Sequence, residues 1–477
     1  MIFGTPNLLA WLALVSMLPI SLVVCRMLRP SLAVPGLLIF FLMFMPQRIA
    51  FDFQGLPSLD KEVIGYLSVL LGLLVSRPQL LARARIGQGP DLLVLGMMVF
   101  GFFTIWTNRD PLMFGPTFKP GLDLWAGLST AVDDLLLFGV PFVLGRAVIR
   151  NARELRTTLM LLAAAGLVYS ALILIEVRLS PQLHNWIYGY HQNQFAKNVR
   201  FGGYRPIVFM TSGIAVGIFM TVTVMAAATL ARARQTIFGL PAALASYYLL
   251  VILIICKSIA AAVWGLAFLP VLSFSPLPWL RRMALVLVAF VAIYPALRMT
   301  EIFPVERLVA VAASFDEQRA ASLNYRFENE DALLERWRER PFFGWGGYSR
   351  NWVYDPDTGR SRTVPDGAWI IQVSSRGLAG LAMILGLYLQ PVAYAARNLR
   401  RVRSRHDRMI LLGAMLIVMV RAMDQLPNGF YTSLPIFLAG GIYRTVQEEV
   451  RASRRRPRRR APPSPPNPEA EPEPEPR

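Results

Sequence analysis

Two arginine-bearing segments and one acidic turn hold the side chains best suited to chemistry in this chain. Arg200 and Arg205 bracket Phe-Gly-Gly-Tyr204 just before an apolar run, Arg326 lies in Ser322-Leu-Asn-Tyr-Arg326-Phe-Glu328, and Asp366 opens Asp366-Gly-Ala-Trp369. A guanidinium offers a planar fork of N–H donors that matches a phosphate or diphosphate, and Gly202 and Gly203 let backbone approach such a group closely. The competing reading is that both Arg200 and Arg205 snorkel to lipid phosphates. At the mouth of an apolar run, the Asp366 carboxylate is placed to deprotonate or orient a hydroxyl. His184 and His191 are its substitutes, weighed against the ordinary reading of satisfied loop histidines. In Pro341-Phe-Phe-Gly-Trp-Gly-Gly-Tyr348 the glycines predict a turn that exposes Trp345 and Tyr348 for stacking on sugars. Tyr204 and Trp369 complete the expected substrate-binding set.

These groups need a scaffold, and composition says which kind. Of 477 residues 55% are hydrophobic and 17% charged, with a positive mean hydropathy, so one soluble domain is excluded. Apolar runs of roughly 16 to 22 residues, enough for a hydrocarbon core of about 30 Å, recur along the sequence. They cover 7–24, 31–46, 62–76, 91–107, 127–145, 157–176, 207–231, 240–256, 259–275, 283–299, 367–390, 409–424 and 430–443. The fold class is all-α, a polytopic membrane protein of about twelve or thirteen transmembrane helices.

Lys and Arg gather in cytoplasmic loops. Arg26/Arg29, Arg77/Arg83/Arg85, Arg146/Arg150/Arg153/Arg156, Arg232/Arg234 and Arg281/Arg282 fall in alternate connections, as do Arg397 to Arg408 and the tail run Arg451 to Arg460. The expected topology therefore starts outside and ends in the cytoplasm. It puts the loops of Arg200, Arg205, Arg326 and Asp366 on the outer face, where no nucleotide is available and a lipid-linked phosphate is the expected anion. The implied organisation is a transmembrane bundle over 1–299, an outer loop over 300–366, further transmembrane helices over 367–445 and a cytoplasmic tail over 446–477.

The outer loop holds a stretch in which Arg326, Glu330, Leu333/Leu334 and Trp337 repeat at helical spacing, predicting an amphipathic helix that either lies at the bilayer surface and holds Arg326 over a cavity or presents a solvated, salt-bridged face. Near other outer boundaries, Asp133 and Asp134 are expected to face a wet vestibule, Glu176 to pair locally beside Arg178 or to orient Arg200, and Lys257, at an outer turn, to add positive charge to the cavity or to mark the interface. Asp424 has no specific reading.

The net charge of +19 is mostly topogenic and gives no reason to expect nucleic acid. Its densest part, the tail run, suits contact with anionic lipid headgroups. Beyond it, residues 461–477 are rich in Pro and Glu and are expected to be disordered. No cleavable signal is evident at the start. The two cysteines, Cys25 and Cys256, are expected at opposite faces, the three histidines are scattered, and neither a metal-ligand spacing nor a Gly-rich phosphate loop is present. No metal or cofactor is expected, and an ATP-driven pump is disfavoured.

Arg200 ahead of a glycine pair, Arg326 with Trp337, Pro341-Phe-Phe-Gly-Trp-Gly346, Asp366-Gly-Ala-Trp-Ile370 and Ser375-Arg-Gly-Leu-Ala-Gly380 together resemble the O-antigen ligase and polymerase superfamily over roughly residues 170–390. The resemblance implies a C-type membrane glycosyltransferase fold with one long periplasmic loop containing amphipathic helices. It also implies metal-independent, inverting transfer of a glycan from undecaprenyl diphosphate at the periplasmic face of a bacterial inner membrane. Arginines would engage the diphosphate, which maps onto Arg200 or Arg205 and onto Arg326. The ligase branch carries a histidine, commonly His-Asn, where this chain has Asp366-Gly367, and this departure favours a polysaccharide or O-antigen polymerase. Membrane lipids and polysaccharide assembly proteins are the further partners implied.

Two other classes compete with that reading. A flippase or polymer exporter would spread charges along a central passage, often in two similar halves, whereas here the candidates concentrate on one face and no internal repeat is visible. A non-catalytic partner of an envelope polysaccharide machine is the third reading.

Overall fold

The computed structural model describes residues 3–455, except 54–56, 85, 201 and 430–431. Each apolar run of the sequence lies on a helix: α1 (Leu8–Met27), α2 (Pro30–Phe44), α3 (Lys61–Ser76), α4 (Asp91–Trp106) and α5 (Leu124–Val148) come first. They are followed by α6 (Ala152–Leu179), α7 (Gly213–Arg232), α8 (Ala242–Ile255), α9 (Ile259–Phe274) and α10 (Leu277–Met299). The long connection folds into α11 (Val305–Ala313) and α12 (Glu317–Arg338), and α13 (Ala368–Asn398), α14 (Arg405–Asp424) and α15 (Leu434–Arg455) close the chain. Six of these, α1, α5, α6, α7, α10 and α13, are long and apolar enough to cross a membrane, and α2, α4, α8 and α9 are shorter apolar helices. The chain is an all-α polytopic membrane protein, as its composition requires.

Helices form because a backbone in hydrocarbon must satisfy its own N–H and C=O groups within one segment. Their burial decides position. α14 is buried on every side from Ile410 to Ala422, and α7 is buried along nearly its whole length, so these two form the centre of the bundle. Small residues allow close approach around them. At Gly145 of α5 a Cβ would overlap the Phe437 carbonyl, and at Gly440 of α15 it would overlap that of Phe142, so α5 and α15 meet backbone to backbone.

Hydrogen bonds sort the connections into two ends. At one end Arg444 donates to the Arg83 carbonyl, Arg281 to that of Ala396, and Arg232 to those of Leu272 and Ser275. At the other, Asn7 donates to Ile187, Lys257 to the Arg200 carbonyl, and Thr117 to the Gly359 carbonyl. The sequence placed a tail from 446, but α15 runs on to Arg455 because Glu448 pairs with Arg444 and Arg451 one turn away on either side. Residues 456–477, including most of the basic run and the Pro/Glu-rich stretch, lie outside the described residues.

α13 is not continuous. Gly377 has φ 66° and ψ −171°, a conformation only glycine adopts freely. The break frees backbone groups, and the turn at 341–346 satisfies them. Trp345 and Gly346 donate to the Ser374 and Ser375 carbonyls at 3.0 and 2.8 Å, while Leu378 and Ala379 donate to the Pro341 and Phe342 carbonyls at 2.9 and 3.1 Å. The Pro341–Gly346 and Ser375–Gly380 motifs are thus one joint. The segment beyond the break, 378–398, would extend about 30 Å and can cross a bilayer alone.

Candidate functional site

α12 presents the face that the helical spacing predicts: Phe327, Glu330, Leu333, Leu334 and Trp337 are buried, and Arg326 stands at the edge of that face. The helix is fastened by Arg298 of α10. Its Nε lies 3.0 Å from Glu330 Oε2, its Nη2 2.7 Å from Asp331 Oδ1, and its guanidinium 4.9 Å from the Phe327 ring centroid. Trp369 Nε1 donates to Glu330 Oε1 at 3.2 Å, and Tyr294 packs edge-on against the Trp369 ring. Burial raises the Glu330 carboxyl against its pairing with Arg298 and its bond from Trp369.

This fastening brings Arg326 and Asp366 together. Arg326 Nε lies 3.7 Å from Asp366 Oδ2, and both side chains are partly exposed. They line a small cavity of about 50 Å³ with Tyr294, Phe327 and Pro427. The wall opposite α12 is the 425–429 segment. Ala368 N–H donates to the Gln425 carbonyl at 2.9 Å, and a Cβ at Gly429 would come within 2.9 Å of the Asp366 carbonyl.

Gly429 also lines a second, mostly apolar cavity of about 220 Å³, walled by Leu42, Ile218, Phe219, Val222, Ile417 and Leu438. Its polar groups are Arg421, Glu62, Gln47, Thr211 and Thr432. Arg421 Nη1 pairs with Asp424 Oδ2 at 2.8 Å, each side chain only 3% exposed. The sequence reading passed over Arg421, which sits near the end of an apolar run. Its signal was that an ionisable residue at membrane depth is rare and is kept there for a reason. Lys61, also passed over, donates to the Leu42 carbonyl at 2.9 Å and so caps the end of α2.

The other predicted residues are placed apart from Arg326. Arg205 is buried, its Nη2 donates to Ser258 Oγ at 3.1 Å, and its stem packs on Gly213 at the start of α7. Among the described residues its Nε has no hydrogen-bond partner. Burial, with Arg200 nearby, pulls its guanidinium down to about 10. Arg200 and Tyr204 belong to a two-stranded hairpin, Val199–Arg200 with Gly203–Tyr204, on which Arg200 is exposed. Lys257 reaches the Arg200 carbonyl at 3.0 Å. The cavity of Arg326 and Asp366 includes neither Arg200 nor Arg205.

Several expectations are corrected. Trp345 is not exposed: it is buried under Arg336 and Arg340, whose guanidinium carbons lie 3.4 and 4.3 Å from its ring centroid, and its Nε1 donates to the Arg336 carbonyl. Trp369 is likewise a buried packing residue, since its N–H serves Glu330. Tyr348, by contrast, is 61% exposed.

His184 is buried with both ring nitrogens engaged. Nδ1 lies 2.9 Å from the Tyr190 carbonyl, and Nε2 accepts from the Gln47 N–H at 3.2 Å. That arrangement requires the neutral ring, and burial lowers its pKa to about 4. His191 is half-buried, paired in register with Phe3, and its pKa is lowered by burial.

Glu176 does not take Arg178 as its partner. Its carboxylate accepts the backbone N–H groups of Leu183, Ile207 and Val208 at 3.1, 2.8 and 2.7 Å, and so pins the loop that follows Arg205. Asp133 and Asp134 part company: Asp134 is buried and paired with Arg376, and Asp133 lines a polar cavity. Among the described residues, no group of three or more His, Cys, Asp and Glu side chains is placed to hold a metal ion.

Fold and site together define a polytopic helical membrane protein with a partly exposed arginine–carboxylate pair beside an apolar cavity at one end of its bundle. No family model and no curated protein matches the chain.

Proposed function

We propose that this protein is a membrane glycosyltransferase that transfers or polymerises an oligosaccharide carried on undecaprenyl diphosphate. In this reading thirteen helices cross the bacterial inner membrane, from α1 to α10 and from α13 to α15. The 300–366 loop is periplasmic, the carboxyl end is cytoplasmic, and the fold is C-type-like, akin to the O-antigen ligase and polymerase superfamily. The observation that carries the reading is the meeting of Arg326 and Asp366, 3.7 Å apart though from separate elements, beside an apolar cavity that also holds Arg421.

The chemistry needs a clamp, a base and a place for the lipid. Arg326 takes the diphosphate, and the apolar cavity takes the first part of the prenyl chain. An acceptor hydroxyl attacks the anomeric carbon in line. The new C–O bond forms as the bond to the diphosphate breaks, the electron pair leaves with the diphosphate, and the hydroxyl proton passes to Asp366. In the free protein Asp366 faces Arg326. An arriving diphosphate takes over the guanidinium and releases the carboxylate to act as base. Exposed Arg200 and half-buried Lys257 add positive charge at the same end, and Arg205 packs on Gly213, just after the segment of Met210 and Thr211 that lines the apolar cavity.

Reconstitution of purified protein with lipid-linked oligosaccharide, without nucleotide, tests this. Growth of the lipid-linked glycan supports a polymerase, and movement to lipid A core supports a ligase. Passage across the bilayer unchanged means a flippase and overturns the proposal.

A further inference from the structure

We propose that the polar cavity at the break in α13 is a saccharide subsite, separate from the Arg326 cavity, in which Asp133 accepts hydrogen bonds from sugar hydroxyls. The inference rests on the glycosyl-transfer reading and gives the glycan, as distinct from its diphosphate, a place to bind.

The cavity measures about 410 Å³, within the usual size range of small-molecule sites. Its walls combine polar and apolar groups from six places: Ser58 before α3, Thr104 near the end of α4, Leu122 before α5, Asp133 with its neighbours on α5, the turn Gly346–Tyr348, and Ser375 with Arg376 at the break. The turn is held rigidly, because its backbone completes the hydrogen bonding of the broken helix. Tyr348, at φ 56°, is carried on that fixed turn with its ring exposed, a surface suited to the apolar face of a sugar.

Charge decides what this cavity accepts. Arg376 is paired with buried Asp134, so those two charges offset each other. Asp133, one residue earlier, is half-buried, and among the described residues its carboxylate makes no hydrogen bond or ion pair. Its oxygens are not shut off from the cavity, so a ligand rich in hydroxyl donors replaces water on them. One arginine, Arg376, faces two carboxylates, Asp133 and Asp134, so the site keeps a net negative charge that repels a diphosphate. The Arg326 cavity has the opposite bias, so anion and polyol are sorted into different places. Ala368, two residues after Asp366, and Arg376 stand eight residues apart on α13, about 12 Å along a helix, so an extended oligosaccharide and not a single sugar reaches from one site to the other.

The test uses carrier-free glycan, released by mild acid from the lipid-linked oligosaccharide of the producing cells and labelled at its reducing end. Binding to detergent-purified full-length protein is followed by equilibrium dialysis. Two variants probe the site. Asp133→Asn removes the acceptor charge. Gly347→Leu puts a bulky side chain on a lining residue without backbone strain, because Gly347 is exposed, lacks a positive φ, and has no atom within 4 Å of where its Cβ would stand. Loss of charge-assisted hydrogen bonds predicts that Asp133→Asn binds about 10- to 100-fold more weakly. Gly347→Leu should weaken binding at least as much, and Arg282→Ala, an exposed residue at the opposite end of the bundle, should bind like wild type. Absence of binding by wild type, or wild-type binding by both cavity variants, overturns the subsite. If wild type binds, the cavity variants lose binding and reconstituted protein transfers nothing, the glycosyl-transfer reading fails while the binding site stands.

Discussion

Arg298 reaches α12 from α10 and Arg326 is carried on α12 itself, and replacing each with Ala separates structure from chemistry. Arg298 is 3% exposed and holds Glu330 and Asp331 at 3.0 and 2.7 Å. Its removal strands a buried carboxylate, a loss of about 3–5 kcal/mol, which is a large share of a typical stability of about 5–15 kcal/mol. Arg326 is about a third exposed and stands 3.7 Å from an equally open Asp366, a pair worth about 0–1 kcal/mol. Arg326→Ala should therefore migrate as a single peak in detergent and melt close to wild type. Its transfer rate should fall about 10²- to 10³-fold, the usual effect of removing one donor to a developing anion. Arg326→Lys, which keeps the charge and loses the fork, should fall between. Arg298→Ala should melt early or fail to accumulate. Thermal melts and initial rates with reconstituted lipid-linked oligosaccharide measure both quantities. If Arg326→Ala melts as early as Arg298→Ala, Arg326 is a structural residue; if it transfers within about threefold of wild type, the diphosphate clamp is wrong.

Asp366→Asn should lower kcat by about 10²- to 10⁴-fold with donor KM unchanged or reduced, since Arg326 loses its internal competitor; steady-state kinetics that match wild type exclude Asp366 as base. Gly377→Ala should destabilise by at least about 1–3 kcal/mol, because a Cβ there meets the Phe342 backbone at positive φ, and an unchanged melting temperature would contradict the broken helix. His184, with its pKa lowered to about 4 by burial, stays neutral in the folded state while the unfolded chain takes a proton below about pH 6.5. Stability should accordingly fall by about 3 kcal/mol between roughly pH 6.5 and 4, and His184→Gln should flatten that slope in melts across this range; an equal slope in the variant would assign it to other groups. Asp357→Cys should react with a membrane-impermeant maleimide in intact spheroplasts and Arg403→Cys only after permeabilisation, with little background because Cys25 and Cys256 are buried; the reverse pattern inverts the topology.

Whatever depends on periodicity was legible before the structure. The apolar runs coincide with helices because hydrocarbon leaves the backbone no alternative. The spacing of Arg326, Glu330, Leu333/Leu334 and Trp337 identified the buried face of α12 because α-helical geometry repeats on so short a scale. Whatever depends on partners distant in sequence was not. The ring of Trp345 looked available because glycines surround it, but Arg340 and Arg336, five and nine residues back, cover it. Glu176 has an arginine two residues away, yet residues two apart on a helix point in different directions, and backbone amides as distant as Val208 claimed the carboxylate. The Gly377 break could not be read from Ser-Arg-Gly alone, since its hydrogen bonds are completed by a turn more than thirty residues upstream.

The ionisable groups divide by how completely they are satisfied, and the division bears on which of them can act. Asp91, Asp134, Glu330 and Asp424 are buried acids, each locked to an arginine: Arg146, Arg376, Arg298 and Arg421. In such pairs each partner would leave the other stranded on moving, so they fix helices in place and are poorly suited to exchanging partners with a substrate. Arg326 with Asp366 breaks the pattern through distance and exposure, and Asp133 breaks it by lacking a hydrogen-bonding partner among the described residues. A group that must trade its internal contact for a substrate's has to hold that contact weakly. In this molecule the loosely held charges stand at the end of the bundle where α12, the broken α13 and the 341–348 turn converge, and the tightly paired acids secure the helices around them.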